Sequence, residues 1–386
     1  MRAGVAAVSL SLLGCGREDL ELLERVQRAD PCLALVSEAE CDGSAARGCS
    51  FQPNERGCLS TDASCQPGQC RGGDPFVRRV ERSFFLNGAP FRFVGVSSWA
   101  LLPATSCSMI KPEQREAWIT QAYDGLVASD SKVARFYAFQ SAAGPSGEDF
   151  TLLDSAIRAA RRAGVRVLLT LDHAGGECTQ GVRRDDAWYA GGFRSPDGEY
   201  PRSYRDYVEA VARRYRDEPT VLGYTMLQSL GGVESQTLSA FVTEIGQLLH
   251  GVAPNQLVSL DAFWDATPAY VELQRLPVVD FVDIDDYDFS EPEEPLRADL
   301  LEALAQVDKP AVVGEGAFRV SESSAEALEN RAARARGRMA EWNSVGLNGA
   351  LFWAYQPGWS GASEEFDARA EDPLLQPAGV LASAPW

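Results

Sequence analysis

The sequence predicts a closed (β/α)8 barrel preceded by a small disulfide-rich segment. Three observations lead there. Eight short apolar runs recur from Phe91 onward, amphipathic helical stretches separate them, and no Gly-rich dinucleotide fingerprint follows the first run. Runs that are apolar almost throughout are strands covered on both faces. Eight strand–helix units in roughly 300 residues suit a closed barrel better than an open sheet.

The chain has 386 residues, a length that holds one large domain and something small. Its first fifteen residues, MRAGVAAVSLSLLGC, place an arginine before a short apolar run and small residues before Cys15, the pattern of an export signal. The ending Leu12-Leu13-Gly14-Cys15 resembles the lipobox of bacterial lipoproteins. That resemblance implies cleavage before Cys15, acylation of that residue, and a membrane-anchored protein of the bacterial cell envelope. Several acyl chains, at about 0.8 kcal/mol per buried methylene, anchor stably. No other stretch is apolar for long enough to span a bilayer.

Residues 16–31 read as a tether and 32–71 as a cysteine-rich module. Of nine cysteines, six lie between Cys32 and Cys70, among Gly, Ser, Asp and Pro. So short and polar a segment cannot bury a sufficient core, and disulfides are expected to hold it. Six cysteines allow fifteen pairings, and sequence does not choose among them. Cys107 and Cys178, left over in the barrel, are expected to pair across two loops of its active face. Residues 71–77 read as a linker, and the barrel as 78–386.

The barrel opens with Phe84-Phe-Leu-Asn-Gly-Ala-Pro-Phe-Arg-Phe93, a hairpin with Asn87-Gly88 at its turn, placed to cap the floor. The eight runs then follow in order: 91–96, 132–137, 165–171, 220–226, 256–260, 280–284, 310–314 and 349–353. Between them Leu152, Leu153, Ile157 and Ala160, and later Phe241, Ile245 and Leu249, repeat at helical spacing.

Chemistry in such barrels sits at the carboxyl ends of the strands. Those ends offer Trp99; Arg135, Tyr137 and Phe139; Asp172 and His173; Gln228 and Ser229; Asp261 and Trp264; Asp285, Asp286 and Tyr287; Glu315; and Trp353. Aromatic faces stack on pyranose rings while carboxylates and amides handle hydroxyls and the glycosidic oxygen, so an oligo- or polysaccharide is the expected ligand. The net charge of −19 argues against nucleic acid, and two histidines exclude a multi-histidine metal site. No cofactor or metal is expected, and a monomer is.

At this level of detail the barrel resembles the clan A retaining glycoside hydrolases, nearest the cellulase and β-mannanase family. The resemblance rests on FFLNGAPFRFVGVSSW (84–99), Arg135, YRDYVEAVARRYRDEPT (204–220), KPAVVGEG (309–316) and Trp353. It implies action on O-glycosyl bonds of a β-linked polysaccharide. It puts the nucleophile on Glu315 and makes Arg135 its orienting partner, while position at the strand ends makes Arg135, Gln228, Tyr287, Trp353, Asp172, His173, Trp264 and Asp285 the candidates for substrate binding. The departures are specific. Where the family ends its fourth strand in Asn-Glu-Pro, this chain has Gln228, Ser229 and Leu230, so the general acid/base position is a serine. The sixth-strand His-x-Tyr becomes Asp285-Asp286-Tyr287. A missing general acid costs about 10²–10⁴-fold in rate. Asp172, His173, Glu234, Asp285 and Asp286 are candidates for a relocated acid, and a catalytically inactive glycan-binding barrel is the alternative reading.

Overall fold

A computed structural model describes residues 49–51, 58–60, 75–104, 110–176, 178–179, 183–197, 200–230, 235–261, 267–288, 297–320, 324–356, 365–369, 372–376 and 379–380. The signal with Cys15, the tether and most of the cysteine-rich module fall outside these residues, as do Cys107, Glu234 and Trp264. Within the module, β1 (Cys49–Phe51) and β2 (Cys58–Ser60) pair antiparallel. A small sheet of β3 (Arg78–Val80), β4 (Ser83–Leu86) and β5 (Ala89–Pro90) follows.

All eight predicted runs become strands of one closed parallel barrel: β6 (Phe93–Ser97), β7 (Val133–Tyr137), β8 (Arg166–Thr170), β9 (Val221–Thr225), β10 (Leu257–Asp261), β11 (Phe281–Asp288), β12 (Ala311–Phe318) and β13 (Gly349–Trp353). β13 pairs with β6, which closes the ring. Helices form the outer layer. In Tyr204–Tyr215 the residues Tyr204, Tyr207, Val208, Val211, Ala212 and Tyr215 make one apolar stripe, and all six are buried. Ser203 starts this helix by accepting a hydrogen bond from the Asp206 amide.

The two-residue period of the strands arranges the barrel interior in levels. The lowest is apolar and includes Val133, Leu168, Leu222, Leu257 and Phe281. The predicted hairpin covers it. Asn87 and Gly88 have φ of 54° and 78°, the twist a two-residue hairpin turn requires. This turns Phe84 inward, its ring 5.5 Å edge-on from Phe281 and 6.2 Å from Phe93. Val77, read from sequence as linker, is 2 % exposed and belongs to the same floor. The barrel unit therefore starts earlier than Arg78.

Two residues further along the strands the interior turns polar, with Arg135, Thr170, Ser259 and Asp283 in one level. Tyr137, Asp261 and Asp285 lie in the next. A bulge in β12 after Val313 puts Gly314 and Glu315 both toward the interior, while Gly316 faces outward. Neither glycine position has space for a side chain. A Cβ on Gly314 would lie 1.8 Å from Asp283 Oδ1, and one on Gly316 2.6 Å from the Trp342 ring.

Candidate active site

The bulge delivers Glu315 to the mouth of the barrel, buried, with each carboxylate oxygen engaged. Tyr137 donates its hydroxyl to Oε1 at 2.5 Å and Gln228 Nε2 donates to the same oxygen at 2.6 Å. Tyr287 donates to Oε2 at 2.6 Å. A carboxylate oxygen has two lone pairs. Oε1 thus has both occupied by these donors, and Oε2 retains one for chemistry.

Glu315 lies at the base of a cavity of about 290 Å³. Its walls are aromatic: Trp99, Tyr137, Phe139, Tyr287, Trp353 and Phe366. Trp353 meets Tyr137 edge-on at 5.9 Å, and Tyr287 meets Phe366 edge-on at 5.4 Å. The polar lining is His173, Gln228, Ser229 and Glu315, with Cys178 at the rim. Cys178 is disulfide-bonded.

Arg135 lies beneath the cavity and is fully buried. The expected pairing with Glu315 is present as a long ion pair that Arg135 shares with two aspartates. Its Nη2 donates to Asp261 Oδ2 at 2.9 Å and its Nε to Thr170 Oγ1 at 2.9 Å, while Nη1 comes no nearer than 3.9 Å to Glu315 Oε1. Asp261 sits where β10 ends and is the nearest of the carboxylates around the guanidinium. Asp283 Oδ1 lies 3.8 Å from Nη1 and Asp283 Oδ2 accepts from Thr225 at 3.2 Å. Burial disfavours the charge on Arg135, but Asp283 and Asp261 more than offset this and push its pKa above the ordinary value. Burial pushes Asp261 up to about 8 against the pull of Arg135, and it raises Asp283 as well.

Asp285 faces the same interior. It lies between Asp283 and Tyr287 along β11 and side by side with Glu315 in the β11–β12 register. It is 5 % exposed, and neither carboxyl oxygen has a hydrogen-bond partner. Burial, then Asp261 and Glu315, drive its pKa well above the usual carboxylate range. Asp285 is therefore beneath the cavity, not a direct lining group.

The other sequence candidates divide. Gln228, Ser229, His173, Tyr287 and Trp353 reach the cavity. Asp172 does not: its Oδ2 accepts from Arg184 Nε at 3.0 Å and its Oδ1 from the His173 amide at 2.9 Å. Asp286 points outward, to Trp342 Nε1 at 2.7 Å and Arg338 Nη1 at 3.0 Å. Among the described residues Glu315 is the only carboxylate lining the cavity. His173 Nδ1 accepts the Gly175 amide at 3.0 Å. Ser229 has φ of 56°, a left-handed state that few non-glycine residues adopt. Tyr137, Asp261 and Asp283 gained no role from sequence. The signal was present in the two-residue alternation that puts Arg135 with Tyr137, and Asp283 with Asp285 and Tyr287, on one face.

Among the described residues no group of His, Cys, Asp or Glu is arranged to hold a metal ion, and no helix is long and apolar enough to cross a membrane. No family model matches the chain, and no curated protein matches it. Solved structures do. The endo-1,4-β-mannanase from Rhizomucor miehei aligns with a TM-score of 0.59 at 17 % identity, over 80 % of this chain and 98 % of that one. A glycoside hydrolase family 5 mannosidase from the same organism gives 0.61 at 14 %, over 80 % and 96 %. The endo-β-1,4-mannanase from Thermotoga petrophila gives 0.56 at 18 %, over 77 % and 76 %. The chain thus has the (β/α)8 barrel fold that these β-mannanases and this mannosidase share.

Proposed function

We propose that this barrel is a glycoside hydrolase-like protein acting on O-glycosyl bonds of a β-linked polysaccharide, with Glu315 as nucleophile and no proton donor at Ser229. One observation carries the reading: a buried glutamate held by two tyrosines and an amide at the base of an aromatic cavity. The fold shared with mannanases and a mannosidase supports β-mannan as the first substrate to try. In the step proposed, Glu315 Oε2 forms a bond to the anomeric carbon as the bond to the leaving oxygen breaks, and that oxygen departs with the electron pair. A natural alkoxide leaving group needs a proton there, and serine does not supply one. Water then displaces Glu315, gives up its proton to solvent, and releases the sugar.

The second reading, a barrel that binds glycan without cleaving it, is favoured by Glu315 being the only lining carboxylate among the described residues. Aryl β-glycosides separate the two, because their leaving group needs no protonation. Under the hydrolase reading the chain cleaves an activated aryl β-mannoside or β-glucoside far faster than β-mannan, and Glu315→Gln abolishes cleavage. If neither substrate is cleaved while mannotetraose binds, the binding reading holds. Ser229→Glu is expected to restore little, because the positive φ at that position aims a side chain away from the direction an extended strand end gives it. The export pattern ending at Cys15 supports a target in the cell envelope. Labelling with a radioactive fatty acid, lost in Cys15→Ala, tests that anchoring.

A further inference from the structure

With Ser229 at the acid/base position, the proposed reaction lacks a base there to activate the water of its second step. Hydrogen-bond donors to Glu315 are plentiful instead. Oε1 takes two, from Tyr137 and Gln228, and Oε2 takes one from Tyr287. Tyr137 is firmly held for this contact. It is buried, its ring lies edge-on to Trp353 at 5.9 Å and tilted against Phe139 at 5.4 Å, and the Arg135 guanidinium sits 5.9 Å from the ring centre. Behind its hydroxyl lies the fully buried Ser97, with Oγ at 3.3 Å. A tyrosine has one hydroxyl proton to donate. Because Tyr137 gives its own to Glu315, Ser97 is the donor in that pair, and the hydrogen bonds run from Ser97 to Tyr137 to Glu315. Burial, then the charge of Glu315, hold the Tyr137 hydroxyl well above the ordinary tyrosine range, so it stays protonated and remains a donor.

We propose that Tyr137, backed by Ser97, is a positioning residue that acts on the second half of the reaction by making the Glu315 carboxylate a better leaving group. This rests on the reading of Glu315 as nucleophile. The two donors on Oε1 leave Oε2 to form the bond to the anomeric carbon, and Oε1 becomes the carbonyl oxygen of the glycosyl ester. A hydrogen bond to a carboxylate is about twice as strong as one to a neutral acceptor. The contact from Tyr137 therefore weakens as the ester forms and strengthens again as it breaks. In that second step a water oxygen bonds to the anomeric carbon and the bond from that carbon to Oε2 breaks. The electron pair of the broken bond returns to Glu315, and the water's proton goes to solvent. Stabilising the departing carboxylate lowers the barrier of the step that has no base at Ser229. It slightly raises that of the first step, where an activated aryl leaving group is reactive enough to depart.

The test uses the full chain and the dinitrophenyl β-glycosides of mannose and glucose. Rapid mixing resolves the first release of dinitrophenolate, which reads formation of the glycosyl ester, from the steady release that follows, which reads its hydrolysis. Intact-protein mass spectrometry during steady release reports the fraction of chains carrying one hexosyl group. In Tyr137→Phe the steady rate is expected to fall about tenfold or more, the size of a lost hydrogen bond to a charged group, while the first release changes by less than about threefold. The hexosyl form should accumulate in the same variant. Ser97→Ala, which removes only the hydroxyl behind Tyr137, should move the same split in the same direction by less, and it decides the matter should Tyr137→Phe not fold. Equal falls in both rates without accumulation would show that Tyr137 only holds Glu315 in place, and would overturn the proposal, as would an unchanged steady rate. If the unmodified chain releases no dinitrophenolate from either glycoside, the reading of Glu315 as nucleophile falls first, and the role of Tyr137 with it.

Discussion

At the scale of single residues, neighbouring aspartates on β11 have opposite fates. Asp285 looks inward and has no partner. Asp286 looks outward, where Trp342 and Arg338 hold it. The two are equivalent in the sequence until strand alternation assigns their faces. Removing Asp286 strips a buried guanidinium of its closest carboxylate and leaves Arg338 with Glu341 at 3.4 Å. Breaking a buried pair from one side costs about 3–5 kcal/mol. Asp286→Ala is therefore expected to lower the denaturant midpoint markedly while leaving oligosaccharide titrations unchanged. A loss of ligand binding in a folded variant would instead put Asp286 in the site.

At the scale of elements, the bulge in β12 is the device that brings Glu315 to the mouth. It depends on two glycines for reasons of space, not backbone freedom, because neither has a positive φ. A methyl at Gly314 would collide with the Asp283 carboxylate and lie 2.6 Å from Arg135 Nη1, so the ion cluster would have to move. Overpacking of this kind costs about 1–3 kcal/mol, with more expected where buried charges shift. Gly251 makes the contrast. It sits in the helix Ser235–Val252, and a methyl there meets nothing within 4 Å. Gly251→Ala should stabilise by up to about 1 kcal/mol, whereas Gly314→Ala should destabilise and disturb Glu315. Equal effects of the two in chemical denaturation would contradict this account of the bulge.

At the scale of the whole molecule, the interior carboxyls bias stability toward acid. Burial raises Asp261 to about 8 and raises Asp283, Asp285, Asp172 and Asp280 as well. A carboxyl whose folded pKa lies above its unfolded one contributes stability fully at pH below about 4. That contribution is lost as pH climbs through the folded pKa. The melting temperature is accordingly expected to fall between about pH 5 and pH 8. Asp285→Asn, which cannot ionise, should flatten the fall. Lys309, lowered to about 8 by burial, acts in the opposite sense only above that value. A flat or rising profile over this window would show that the cluster is relaxed by solvent. The floor gives a second test of the whole unit. A chain beginning at Pro75 keeps Val77 and should melt with the full-length protein. One beginning at Arg78 exposes Phe84 and Phe93 and should lose about 1.5–3 kcal/mol.

The sequence by itself determined the eight strands, their helices and the floor hairpin, because hydrophobic period and turn chemistry are local. It also put Glu315, Gln228, Tyr287 and Trp353 at strand ends, and the structure brings all of them to one cavity. What it did not determine is who meets whom across the ring. Arg135 on β7 hydrogen-bonds Asp261 on β10 and keeps only a longer ion pair to Glu315 on β12, where Tyr137 makes the close hydrogen bond. Asp285 is left without a partner, and Asp172 is drawn off to Arg184. Those outcomes depend on barrel closure, on the stagger between distant strands and on one bulge. Each is a contact between residues far apart in the chain, and only the tertiary structure sets which of several equally placed polar groups comes within hydrogen-bonding reach.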